Sequence, residues 1–253
     1  MALKVVKEPK VYLIGRQKVD EMALAKFLAD EGISNWALDM SYPGQALVET
    51  AGRVCYMSYG KGRKSNAEFI SHIIDVAHGS VLEHAVFSFL ITGVSRSLTH
   101  ELIRHRHLSF SQLSQRYVDE TDVAFIEPES IREDDSLHGT WVRSVQAAQT
   151  AYTILASQLE AKYHDIEDKT LRRKLARQTA RSVLPNATET KIFVTGNARA
   201  FRHFIEVRGS KHADAEINRL ARVLLEVLKI ECPAIFGDYE IKDGNVVTKY
   251  SGI

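Results

Sequence analysis

Residues Ala85–Thr92 read AVFSFLIT and run into Gly93. Five of the eight are aromatic or β-branched and none is charged, which is the signature of a buried strand, and the glycine supplies a stop. On its upstream side, Ser65–Ala77 has helical periodicity through Phe69, Ile70, Ile73, Ile74 and Ala77. Ser65 and Asn66 offer N-cap chemistry there and Glu68 a capping-box acid, and His78-Gly79-Ser80 stops the helix. On the downstream side, Ser95–His105 is helical, with Leu98, Leu102 and Ile103 inward and an unusually polar opposite face. A core strand between two amphipathic helices makes the chain a mixed one.

Further out, Val11–Ile14 and Thr188–Thr195 (TETKIFVT) read as strands. Residues 136–182 are helical with a break at Asp165–Lys169 and an end at Pro185. Arg199–Val207 and Ala213–Ile230 are further helices, the last closed by Pro233. The tail is a hairpin of Tyr239–Ile241 and Val246–Lys249 around Asp243-Gly244-Asn245. With no internal repeat, low-complexity segment or linker, the expectation is an α+β fold. It is a single domain over residues 1–253, with a central, mostly antiparallel sheet packed against a helical bundle.

At 253 residues and 45% apolar content the chain can bury an enzyme-sized core. Its 33 Lys plus Arg balance 32 Asp plus Glu, for a formal charge of +1. That gives no global attraction to nucleic acid or membrane. The two cysteines, Cys55 and Cys232, form neither a disulfide framework nor a metal pattern and suit a reducing compartment, so a cytoplasmic location is expected. Apolar stretches are too short to span a bilayer, and Lys4, Lys7 and Lys10 precede no secretory core.

Chemistry concentrates in His100–Tyr117, HELIRHRHLSFSQLSQRY, with three Arg, three His, three Ser, two Gln and one Tyr. Read alone, this is either a solvated helix face with a loop or a surface for an anionic, hydrogen-bonding ligand such as a phosphate. Half-buried cations are costly unless paired. If Ser111–Tyr117 is extended, Gln112, Ser114 and Arg116 point the same way. Metal binding is disfavoured, because His100 and His105 are about 140° apart on a helix and cations intervene. The chain has no phosphate loop, GxGxxG or GxSxG motif.

Arg104-His105-Arg106, seven further residues and Ser114 form a motif by which the chain resembles the flavin-dependent thymidylate synthases. HGSVLEH (His78–His84), RSVLPNATET (Arg181–Thr190), VTGNARAFRHF (Val194–Phe204) and VRGSKHAD (Val207–Asp214) carry the same resemblance, over residues 46–236. It implies conversion of dUMP to dTMP, with FAD as cofactor and NADPH and 5,10-methylenetetrahydrofolate as co-substrates, in a homotetramer whose sites combine several subunits. The implied flavin contacts are Ser80, Arg104, His105, Arg106, Gln112, Asn197, Ala198, Arg199 and His203. Those for dUMP are Glu101, Leu102, Ile103, Arg104, Gln112, Leu113, Ser114, Gln115, Arg116, Arg181 and Arg208.

Two residues are implied in catalysis. Arg208 would stabilise negative charge on the N3–C4 side of the pyrimidine, and Ser114 would position the uracil, having no adjacent base to make it a nucleophile. His78 reads equally as a pocket residue or a helix-end residue. Gln112 stands where many members of the family carry Glu, which keeps hydrogen bonding and removes a charge. Two other classes of reading remain. One is a nucleic-acid module using the basic helix 171–182, where Arg173, Arg177 and Arg181 align at i,i+4; the other is a flavoprotein with a different reduction. The thymidylate synthase resemblance, by contrast, assigns Arg181 to dUMP and leaves Arg173 and Arg177 as surface or subunit-interface cations.

Overall fold

A computed structural model describes residues 3–253. The N-terminal part contains β1 (Lys4–Val6), β2 (Lys10–Arg16), α1 (Glu21–Asp30), α2 (Pro43–Val54), α3 (Asn66–Asp75) and a 3-10 turn at Gly79–His84. Then come β3 (Val86–Ser95), α4 (Arg96–Leu102), β4 (Ser109–Gln112), β5 (Ala124–Ile126), α5 (Glu129–Arg132), α6 (Asp135–Lys162) and α7 (Lys169–Ala180). The last part is β6 (Glu189–Asn197), α8 (Ala198–Arg208), α9 (Ala215–Glu231), α10 (Pro233–Phe236), β7 (Glu240–Lys242) and β8 (Asn245–Val247).

Four strands form a sheet in the order β2-β3-β6-β4. Its neighbours are antiparallel, because positions rise on one strand as they fall on the next. Gly15 lies against Ser88, while Gly93 lies against Glu8. Ser88 bonds Thr195 at 2.8 Å, whereas the Gly93 amide reaches Glu189. Gly196 meets Leu108, and the Leu113 amide donates to the Lys191 carbonyl. Two smaller pairs are β1-β5, parallel, and β7-β8, antiparallel.

Gly93 does not stop β3, contrary to the expectation from sequence. It has φ +69°, and a Cβ there would lie 2.5 Å from the Glu8 carbonyl oxygen. A glycine is required for the strand to bend and continue to Ser95. The hydroxyl of Ser95 then accepts the Leu98 amide and starts α4 at once.

The chain packs as two units. One comprises residues 1–10, 91–104 and 111–192; the other comprises 11–90, 105–110 and 193–253. In the first, α6 and α7 form an antiparallel pair, broken at residues 163–168 as the sequence suggests, and Asp168 caps α7 through the Thr170 and Leu171 amides. Val123, Phe125 and Val145 make an apolar cluster with Leu3 and Trp141. In the second, α9 buries Ile217, Leu220, Ala221, Leu224, Leu225 and Leu228 on one face. Each large aliphatic among them contributes about 1.5–3 kcal/mol. Phe89 meets Phe201 edge to face at 5.3 Å, fixing α8.

α3 has the Ser65 cap expected of it, although Glu68 accepts from the Lys64 amide rather than from Ser65. It ends at Asp75, where Ala77 takes φ +58° and the His78 amide returns to the Ile73 carbonyl. The backbone of His78 therefore closes a helix. The sequence reading missed β1, α1, α2, β4, β5, α5 and α10.

Candidate active site

In the second unit, β6 delivers Asn197 to the start of α8. The Asn197 side-chain oxygen accepts the Ala200 amide at 2.8 Å, so the cap fixes the amide and leaves its NH2 to donate elsewhere. α8 then divides by face. Phe201, Phe204 and Ile205 are buried, while Arg199, His203 and Glu206, at spacings of four and three, share the other side. That side opens on a cavity of about 350 Å³ lined by Glu83, His107, Asn197, Arg199, Ala200, His203, Glu206, Gly252 and Ile253. Arg199 is tied to Glu83 at 2.7 Å.

His105 sits beside the same helix. The Arg208 Nε donates to His105 Nε2 at 3.0 Å, and the imidazole stands 6.0 Å from the His203 ring and 5.0 Å from Phe204. Burial first, then the Arg208 and His203 charges, push His105 down to about 4. It is neutral at physiological pH, and its Nε2 lone pair aims the guanidinium of Arg208.

The expected flavin residues thus divide. Asn197, Arg199 and His203 line the cavity. Ala198 is wholly buried, its amide bound to the Ala85 carbonyl. Ser80 lies in the 3-10 turn whose first residue, Gly79, packs on Arg199, but it is not in the cavity wall. Arg106 is exposed and also outside the wall. Glu83, His107, Ala200, Glu206 and residues 252–253 were missed. Glu206 was findable, since it falls three residues after His203 on the same face; nothing in the sequence marked the tail.

The remaining site residues belong to the first unit. α4 ends at Leu102, short of the expected His105, and Leu102 is buried in the core while Ile103 and Arg104 are exposed. Glu101 is half-buried. Gln112 donates to Thr99 at 3.1 Å and lies near Thr190. Residues after Gln112 are not extended, because the Tyr117 and Val118 amides both turn back to the Ser114 carbonyl. The alternation expected for Gln112, Ser114 and Arg116 is therefore replaced by a turn, in which the Ser114 hydroxyl accepts the Arg116 amide at 3.3 Å. Leu113 bonds through both backbone groups, to Lys191 and Arg96, and Gln115 is buried.

That turn places Arg116 and Tyr117 against α7. With Thr170, Arg173, Lys174 and Arg177 they line a cavity of about 220 Å³. Arg177 donates to the Tyr117 carbonyl at 2.7 Å and to Asp119 at 2.9 Å, and Lys174 lies 5.0 Å over the Tyr117 ring. Arg173 and Arg177, expected as surface or subunit-interface cations, thus both line this cavity. Arg181, half-buried, follows α7 and depresses Arg96, a cation the sequence reading overlooked. Desolvation is the larger cause of the depression at Arg96, and Glu120 opposes it.

Among the described residues, no group of three or more His, Cys, Asp or Glu side chains could hold a metal, and no helix is long and apolar enough to cross a membrane. Cys232 is buried and its thiol is pushed up to about 12 by desolvation, while Cys55 is exposed.

A solved structure of a UMP/dUMP methylase, PolB from Streptomyces cacaoi bound with 5-Br UMP, shares the fold with TM-score 0.66 and 22% identity, covering 93% of this chain and 95% of that one. Proteins named flavin-dependent thymidylate synthase are much nearer in sequence. Those of Mycolicibacterium gilvum (strain PYR-GCK) and Mycobacterium avium (strain 104) are 53% identical over 88% of this chain and 90% of theirs. That of Mycobacterium tuberculosis (strain ATCC 25618 / H37Rv) is 52% identical with the same coverage. The family described as thymidylate synthase complementing protein matches residues 38–234, and to that family, alongside the flavin-dependent thymidylate synthases, this chain belongs.

Proposed function

We propose that the chain is a flavin-dependent thymidylate synthase that converts dUMP to dTMP. The observation that carries this reading is the Arg208–His105 hydrogen bond beside a cavity lined by Asn197, Arg199 and His203. The residues fit the group. A cavity of this size accepts one ring system with its sugar, the Asn197 NH2 and the His203 and His107 rings offer hydrogen bonds, and Arg199 offers a cation to phosphate. Asn197, Arg199 and His203 would hold the FAD, with Ser80, Ala198, Arg104, His105, Arg106 and Gln112 completing its contacts.

When bound, FAD reduced by NADPH supplies the hydride and methylenetetrahydrofolate the carbon, so no enzymic thiol is needed. Arg208 does what the chain itself must do for charge. Its guanidinium, held at Nε by a neutral imidazole, can stabilise negative charge developing on the pyrimidine. Ser114 is engaged with the Arg116 amide, which suits positioning rather than attack. The cavity around Arg116, rich in cations and small, suits a phosphate. Glu101–Arg104, Gln112–Arg116, Arg181 and Arg208 would bind dUMP in a homotetramer whose sites several subunits complete.

Residues 1–253 would act as one domain, in the cytoplasm, on small molecules and without nucleic acid or membrane. Arg177 is already held by Asp119 and the Tyr117 carbonyl, which speaks against a nucleic-acid stripe along α7. The test is the visible spectrum under anaerobic NADPH with and without dUMP, followed by assay of dTMP on adding methylenetetrahydrofolate. Dependence of flavin bleaching on dUMP and formation of dTMP are expected. A colourless protein that cannot be reconstituted with FAD would overturn the reading.

A further inference from the structure

Glu206 is a carboxylate in the wall of a cavity assigned to a phosphate-bearing cofactor, a placement that repels the ligand unless the charge is spent elsewhere. It is spent on the C-terminal segment. Oε1 accepts the Tyr239 hydroxyl at 2.7 Å, and Tyr239 in turn stacks under Arg202, which is fully buried in a two-pronged pair with Asp238. Oε2 accepts the Ser251 hydroxyl at 3.1 Å and the Gly252 amide at 2.9 Å. Gly252 has φ +80°, the left-handed conformation that turns its N–H toward the acid. Tyr250 adds a second fastening through its hydroxyl to Asp75.

The consequence is positional. Gly252 and Ile253 line the cavity together with Asn197, Arg199 and His203, and Ile253 packs so near Gly79 that a Cβ there would lie 2.9 Å from the Ile253 carbonyl carbon and 3.1 Å from Arg199 Nε. With the segment in place the cavity still holds about 350 Å³, so the segment is a wall and not a plug.

We infer that Glu206 is a positioning residue that latches residues 250–253 as one wall of the flavin cavity, so that the residence time of FAD depends on the latch. The inference rests on reading this cavity as the flavin site. Glu206→Gln keeps an acceptor for Tyr239 and weakens the charge-assisted bonds to residues 251 and 252. Ser251→Ala removes one of those bonds and leaves Tyr239 untouched.

The experiment follows FAD release by recovery of free-flavin fluorescence after dilution, together with hydrogen exchange of the Gly252 amide, in the full chain. Glu206→Gln is expected to release FAD about tenfold faster and Ser251→Ala about threefold faster. Gly252 exchange should accelerate in parallel, while amides of α9 keep their rates, which separates the latch from general loosening. Faster Gly252 exchange with unchanged FAD release in both variants would overturn the inference. Wild-type protein with no FAD affinity but a protected Gly252 amide would instead overturn the reading of the cavity and remove the ligand from the inference.

Discussion

The cavity along α8 and the cavity along α7 balance charge in opposite ways. Along α8, Arg199 is paired with Glu83, Glu206 is occupied by the tail, and His105 is neutral, so the surface is one of directed hydrogen bonds and rings. Along α7, Arg116, Arg173, Lys174 and Arg177 surround a smaller space with Asp119 as the paired acid. The first arrangement suits a large conjugated cofactor and the second a compact anion, because unbalanced positive charge is retained where an anionic ligand supplies the balance.

The largest expected effect comes from breaking the α8 arrangement at its charged end. Arg208→Ala should lower kcat/KM for dUMP by about 10²–10³-fold while FAD stays bound. Steady-state kinetics beside the flavin spectrum check it, and full activity in a flavin-loaded variant would remove Arg208 from the chemistry. The same variant should raise the His105 titration midpoint above about 4, because one of the two neighbouring cationic influences on it is gone. Imidazole resonances followed by NMR against pH measure that shift.

The α7 arrangement breaks differently. Arg116→Ala should raise KM for dUMP by about 10–100-fold with a smaller change in kcat, since a phosphate contact binds ground state and transition state alike. The KM should also become less sensitive to salt. An unchanged KM would send the phosphate elsewhere.

A pH comparison sharpens the contrast further. His105 is depressed in the fold, so between its free value near 6.5 and about 4 the unfolded chain binds more protons, and stability falls as pH falls through that window. Glu120 is raised to about 7 by desolvation against the pull of Arg96, so between 4.5 and 7 the folded chain binds more protons, and stability falls as pH rises. Glu120 is buried, and its Oε1 has no hydrogen-bond partner. Glu120→Gln should therefore raise stability by about 1 kcal/mol at pH 8 and change it little at pH 4.5, read from thermal melts at the two values. A variant less stable at pH 8 would mean that attraction to Arg96 outweighs desolvation.

These contrasts were unequally legible in the sequence. The capped helices α3, α6, α7 and α9 were readable because local chemistry alone specifies them. β3 was readable as far as Gly93, but a glycine that ends a strand and one that bends it look alike until Glu8 is seen against it. α1 has an Asp20 cap but no buried face, so it carries almost no periodic signal. In the site, Asn197, Arg199 and His203 share one helix and were found together. Arg173 and Lys174 needed the turn at Ser114 to acquire Arg116 as a neighbour, and residues 252–253 needed Glu206, a contact spanning 46 positions. What the sequence withheld was long-range contact, which no local pattern encodes.

The smallest expected effect concerns a group absent from both cavity walls. Neither Cys55 nor Cys232 lines them, and Cys232, wholly buried and raised to about 12, stays a thiol at any working pH. Cys55→Ala should leave kcat and stability unchanged. Cys232→Ala should cost about 1 kcal/mol, because its sulfur fills space beside Gly44, while turnover of the folded, flavin-loaded protein is preserved. Since the two variants differ in packing but share the loss of a thiol, a fall in kcat in Cys55→Ala alone would implicate the exposed sulfur in chemistry. A fall only in melting temperature in Cys232→Ala leaves the methylation to the arginine, the imidazole and the bound cofactors.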